Sequence, residues 1–191
     1  MNPADHPFIK AAADGTLPAE AFDRWLVEDH HFVVGFRRFL GRLLELAPDE
    51  AARDLLAGAQ VPLQAELDLF RAEAVARKLD LNAEPSPTTL GYTSFLMAST
   101  ADGWPVALAV LYGAEKAYFD AWSVVRAQAE RSSPYWSFID NWSSPAFGRW
   151  VDDVARLVAS LPSDPAIERA LERVVRFELR FWDAVHEGET W

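Results

Sequence analysis

Four acidic residues interrupt otherwise apolar helical stripes, and their spacing is what could support chemistry. Asp29 fills the gap in the set Phe22, Trp25, Leu26, Phe32, Val33 and Phe36. Glu66 shares a stripe with Leu55, Ala59, Pro62, Leu63, Leu69 and Phe70. Glu115 lies among Leu108, Leu111, Tyr112, Tyr118, Phe119 and Trp122, and Glu178 among Val174, Val175, Phe181 and Trp182. Each acid has apolar neighbours three and four residues away on both sides, so each side chain is expected to face a core. An unpaired buried carboxylate is costly. Either each acid has its own buried Arg, Lys or Tyr partner, or the four converge on one polar pocket. Converging acids repel, so at least one should hold its proton at neutral pH. A carboxyl with a raised pKa can act as a general acid or base near neutrality, and an amine-bearing ligand would relieve the repulsion.

A di-metal carboxylate centre is the other chemistry that acids in a helical bundle suggest, and it needs two Glu-x-x-His pairs. Glu28 and His31 have that spacing but lie on the face opposite Asp29. The positions three after Glu66, Glu115 and Glu178 are Leu69, Tyr118 and Phe181, none a ligand. Asp183 and His186 match the spacing but sit near a chain end expected to fray. No metal and no other cofactor is expected. His30 and His31 are read as surface or packing residues, and His6 as an end-of-helix contact. Ser94 and Ser99 lack a Gly-x-Ser-x-Gly setting, and no Gly-rich phosphate loop is present.

The elements that carry these acids all read as helices, since no run alternates in the manner of a strand. Asp14-Gly15-Thr16-Leu17-Pro18 separates a short helix from a long one reaching to about Leu44. Pro48-Asp49 opens a helix to about Leu79, expected to kink at Pro62. Glu84-Pro85-Ser86-Pro87-Thr88 leads into a helix ending near Thr100, and a further helix runs from Trp104 to about Glu130. A short aromatic segment spans Tyr135 to Trp142. Helices opened by Pro145 and by Ser163-Asp164-Pro165 complete an all-α, single-domain bundle of seven or eight helices over residues 1–191.

Composition narrows the function. The chain of 191 residues carries a net charge of −11, which argues against nucleic acid and anionic membrane surfaces as partners. The absence of cysteine excludes disulfides, thiolate metal sites and a cysteine nucleophile. No signal-type segment or membrane span is read, so a cytoplasmic protein is expected. Eight tryptophans and twelve phenylalanines offer walls for a flat ligand. Trp136 and Trp150 lie outside the four stripes and are expected to bury against a partner copy in a dimer or tetramer.

Short motifs in order along the chain resemble the TenA/THI-4 family of thiamin-salvage aminopyrimidine hydrolases. They are His6-Pro7-Phe8, Asp14-Gly15-Thr16-Leu17-Pro18 with Phe22, and Glu28-Asp29. They continue with Pro85-Ser86-Pro87-Thr88, Tyr92-Thr93-Ser94, and Phe177-Glu178 with Phe181-Trp182. The resemblance implies a haem-oxygenase-like bundle without haem. It implies that Asp29 binds the aminopyrimidine, that Tyr92 lines the pocket and that Glu178 is catalytic. The family's nucleophilic cysteine falls within a residue of Glu115, so the chain looks like a branch with glutamate in that place. Phe32 and Trp142 stand where the family has tyrosines.

The expected activity is hydrolysis of the amine, or N-formyl amine, of a 4-amino-5-aminomethyl-2-methylpyrimidine. Asp29 would hold the ring, with Phe32, Glu66, Tyr92, Tyr118, Trp142 and Phe181 around it. Glu178 and Glu115 would share the proton work, in an order the sequence leaves open. The alternatives are a binder or regulator that holds a heteroaromatic ligand without turnover, and a cofactor-free oxidase of the wider superfamily.

Overall fold

The computed structural model describes residues 2–191, and among these the secondary structure is helical with no strand. The helices are α1 (Pro7–Asp14), α2 (Ala19–Leu46), α3 (Glu50–Gly58), α4 (Gln60–Arg77), α5 (Pro87–Ser99), α6 (Trp104–Gln128), α7 (Trp136–Trp142), α8 (Pro145–Ala159) and α9 (Pro165–Asp183). With α3 and α4 taken as one interrupted helix, the described residues give the upper of the two numbers expected. Helix starts follow local chemistry. Asp49, Ser86, Ser144 and Asp164 each accept a backbone N–H at the helix they open, and Pro occupies the first turn of α5, α8 and α9. His6 does the same for α1: Nδ1 accepts from the Phe8 N–H at 3.1 Å while Nε2 lies 2.9 Å from Asp183 Oδ1.

The expected kink at Pro62 is instead a full break one turn earlier, at Ala59. Restarting the helix at Gln60 puts Pro62 in the first turn, where backbone N–H groups lack an intrahelical partner in any case. The chain end also differs from expectation. Rather than fraying, α9 runs into a π-helical turn, Ala184–Gly188. Arg24 donates to the carbonyls of Val185 and His186, at 3.0 and 2.8 Å. Glu189 accepts from the Thr88 N–H at 2.8 Å, and Trp191 Nε1 donates to the Pro85 carbonyl at 3.1 Å. Glu28 accepts from both the N–H and hydroxyl of Ser86. The start of α5 is thus tied both to α2 and to the segment after α9.

Helix α6 runs through the middle and packs on α1, α7, α8 and α9, while α2 packs on α3, α4 and α5. Val106 to Leu111 are buried all round, as a central helix requires. Two glycines set close approaches between helices. A Cβ at Gly35 would lie 2.7 Å from Thr93 Cγ2, so α2 and α5 can meet there only without a side chain. A Cβ at Gly113 would lie 3.1 Å from Val174 Cγ1, where α6 meets α9. Among the described residues, no helix is long and apolar enough to cross a membrane.

Candidate active site

The four acids come from four different helices: Asp29 from α2, Glu66 from α4, Glu115 from α6 and Glu178 from α9. Asp29, Glu66 and Glu178 are buried and Glu115 is partly buried. Among the described residues none of them forms an ion pair with Lys, Arg or His, so separate buried salt bridges are not how the fold accommodates them.

Two chambers meet at Glu66 and Glu115. The inner one, about 40 Å³, is lined by Asp29, Glu66 and Glu115 with Phe32, Tyr118 and Trp142 among its walls. The outer one, about 450 Å³, opens between α3–α4 and α7–α8. Glu66, Glu115, Leu63 and Phe147 line both, so they form the neck. The break at Ala59 that replaced the expected kink leaves Gly58 and Ala59 as part of the outer wall.

Three expected pocket residues stand behind the inner wall rather than in it. Glu178, Tyr92 and Phe181 do not line either chamber. Phe32, which lines the inner chamber, packs against two of them: its ring centroid lies 4.8 Å from that of Tyr92 and 6.1 Å from that of Phe181. Glu178 still belongs electrostatically to the group, because its charge raises the pKa of both Asp29 and Glu115.

Hydrogen bonding differs from acid to acid. The Tyr92 hydroxyl donates to Glu178 Oε1 at 2.6 Å, leaving Oε2 buried without a partner. Trp150 Nε1 donates to Glu115 Oε1 at 2.7 Å, and Asn141 Nδ2 to Glu66 Oε1 at 3.1 Å. Neither oxygen of Asp29 has a hydrogen-bond partner of good geometry. The Tyr118 hydroxyl, which accepts from Trp25 Nε1 at 2.9 Å, is near enough to offset part of the cost of burying it. Two further buried donors, Trp122 Nε1 and Trp182 Nε1, also lack partners.

Burial is the main cause of every shift. It pushes Glu66 up to about 7, with Asn141 opposing. It pushes Glu115 to about 8, opposed by Trp150 and reinforced by Glu66 and Glu178. Glu178 rises to about 8, opposed by Tyr92. Asp29 is raised well above the carboxylate range, with Glu66 and Glu178 adding to burial. Near neutral pH the set therefore holds several protons, and the four titrate as a group. Such a group can bind the polar edge of a heteroaromatic ring and can both give and take a proton.

Trp136 and Trp150, expected to bury against a partner copy, are partly exposed and also make contacts within the chain. Trp136 lies under the guanidinium groups of Arg126 and Arg131, at 5.5 and 5.4 Å. Trp150 is the donor to Glu115. Asn141 and Trp150 were missed as site residues. Trp150 carried a usable signal, since it follows Phe147 and precedes Val154 on the apolar stripe of α8. Asn141 carried none, because its neighbours Asp140 and Trp142 look the same whichever way it points. Among the described residues no cluster of three or more His, Asp or Glu is arranged to hold a metal ion.

Fold and site together define a helical bundle built around a shared carboxyl pocket. Residues 1–188 match the profile of the TENA/THI-4/PQQC family, and the chain belongs to that family. It superposes on the crystal structure of a TenA homologue from Pyrococcus furiosus with a TM-score of 0.89 at 32% identity, covering 95% of this chain and 91% of that one. It is 24% identical to an aminopyrimidine aminohydrolase of Bacillus subtilis, over 97% of this chain and 84% of that protein. It is also 30% identical to the thiamine biosynthesis multifunctional protein ThiED of Corynebacterium efficiens, over 82% of this chain but 22% of that much longer protein.

Proposed function

We propose that the chain is a hydrolase that cleaves the exocyclic C–N bond of an aminopyrimidine amine, or the amide of its N-formyl derivative, in thiamin salvage. It would work with carboxyl groups alone, Glu115 lying within a residue of the position where another branch of the family carries a cysteine. The observation that carries this reading is that Asp29, Glu66 and Glu115, free of cationic partners, line one aromatic-walled space, with the buried Glu178 coupled to them electrostatically. The aminopyrimidine aminohydrolase relatives support the substrate class.

In this reading the substrate enters through the outer chamber. The inner chamber as it stands holds a water molecule or two rather than a ring, so the ring must displace Phe32 or occupy the neck. Asp29 takes the ring nitrogen and amino group, and the aromatic walls stack on its faces. An ionised carboxylate removes a proton from water as its oxygen attacks carbon. A protonated neighbour delivers a proton to the departing nitrogen. The amine thus gives the hydroxymethyl pyrimidine and ammonia, and the N-formyl amine gives the amine and formate. Glu115 and Glu178 share these two roles, and Glu66 sits at the neck with Glu115.

The test is incubation with 4-amino-5-aminomethyl-2-methylpyrimidine and its N-formyl derivative, following ammonia and formate. Release of either supports the proposal. Thermal stabilisation by the ligands with no release would instead establish a binding protein on the same bundle.

A further inference from the structure

The α7–α8 segment places one hydrogen-bond donor on each carboxyl of the neck. Trp150 Nε1 meets Glu115 Oε1 and Asn141 Nδ2 meets Glu66 Oε1, and in each case Oε2 makes no hydrogen bond among the described residues. The segment is held firmly. Arg126, near the end of α6, pairs with Asp140 at 2.7 Å, and its Nη1 lies 3.3 Å from the Ser143 hydroxyl. Ser144 caps α8 through the Phe147 N–H at 3.1 Å. A Cβ on Gly148 would come within 3.1 Å of Phe119 Cζ, so α8 lies close against α6 one turn from Glu115. The donors therefore arrive on a fixed frame.

An indole N–H donates and cannot accept. While it occupies Oε1, the exchangeable proton of Glu115 has only Oε2 to sit on. We propose that Trp150 is a positioning residue for proton transfer: its N–H confines the Glu115 proton to Oε2, the oxygen left without a protein partner, with Asn141 acting likewise on Glu66. This rests on the reading of the site as a hydrolase. It adds the residues that decide which oxygen of each carboxyl does the exchange. The same bond favours the ionised form, and its removal raises the affinity of Glu115 for its proton. The other charged and titratable groups around Glu115 are Glu66, Glu178, Asp29, Tyr92 and Tyr118 within the bundle. Asp54, Arg149 and Asp153 stand in the outer chamber.

The experiment is a carboxyl ¹³C NMR titration of the full chain and of Trp150→Phe, with the Glu115 resonance assigned by its loss in Glu115→Gln. The Glu115 midpoint is expected to rise by about one unit in Trp150→Phe. In parallel, the limb of the pH–rate profile governed by Glu115 moves up by the same amount, and kcat falls roughly tenfold at constant KM. Trp150→His, which returns an N–H, should recover part of both. An unmoved midpoint in a folded Trp150→Phe protein overturns the proposal, as does a loss of activity with both pH limbs in place. If the parent chain turns over neither amine nor formamide, the proposed function fails, and the titration still decides the role of Trp150. Asn141→Ala, at a partly exposed position, makes the same test on Glu66 should Trp150→Phe not fold.

Discussion

The deep half of the site and its neck use the same residue type under different control. In the deep half, Asp29 lines the inner chamber and Glu178 lies outside both chambers, and the hydroxyls of Tyr118 and Tyr92 stand beside them. The helix that carries Asp29 meets α5 closely at Gly35, and the helix that carries Glu178 meets α6 closely at Gly113. At the neck, Glu66 and Glu115 open onto a chamber of about 450 Å³ and take their hydrogen bonds from an amide and an indole on α7 and α8. Burial raises the proton affinity of all four, yet only the neck pair is placed to exchange protons with water from outside. The difference separates two tasks. A buried acid with a hydroxyl neighbour suits holding a ligand edge and retaining a proton. An acid at an opening, with one oxygen tied, suits repeated exchange.

The strongest test of that division is Glu178→Gln. If Glu178 works across the boundary with Glu115, kcat for the aminopyrimidine should fall by roughly 100-fold or more at little-changed KM. A loss of that size from Glu66→Gln with none from Glu178→Gln would confine the proton work to the neck pair and remove Glu178 from the chemistry.

The next effect is on stability. Glu66 and Glu178 titrate near 7 and 8 in the fold, above the ordinary carboxyl value of about 4.3. Folding therefore favours their protonated forms. That contribution is complete below about pH 4 and is lost as pH rises through 7 to 8. From these two groups the ligand-free protein should lose roughly 5 kcal/mol between pH 5.5 and 8, read from urea midpoints. Glu178→Gln, which keeps an acceptor for Tyr92, should flatten part of the slope. A slope unchanged in that variant would mean that Glu178 is ionised in the folded state.

Asp29→Asn probes binding alone. It should weaken ligand affinity roughly tenfold by calorimetry, about 1.4 kcal/mol, with a smaller change in kcat. An equal loss in kcat would place Asp29 in the chemistry rather than the holding of the ring.

The smallest expected effect lies away from both halves. Lys78 closes α4 at φ 60°, in the left-handed region where glycine carries no penalty. Lys78→Gly should stabilise the chain by about 0.5–1 kcal/mol without altering activity. Altered activity would show that the end of α4 feeds back on Glu66 at the neck.

Much of this was legible in the residues. The stripe around Asp29 and the stripe around Glu178 required inward-facing acids, because neighbours three and four positions away fix the face of a helix wherever it is packed. The helical class followed from the same periodicity, and the helix starts from Ser, Asp and Pro in the right order. Three things were decided only in three dimensions. Phe32 lines the inner chamber while Glu178, Tyr92 and Phe181 do not, which no one-dimensional pattern expresses. The helix broke at Ala59 rather than kinking at Pro62, because a new first turn accommodates proline without losing a hydrogen bond. Trp150 turned inward to Glu115 although its stripe alone fitted a partner surface equally well. A sequence sets which face of each helix is apolar and where each helix can begin. Which faces meet, and which donor reaches which oxygen, depends on how the helices pack, and in this fold close approaches between helices such as those at Gly35 and Gly113 set that packing.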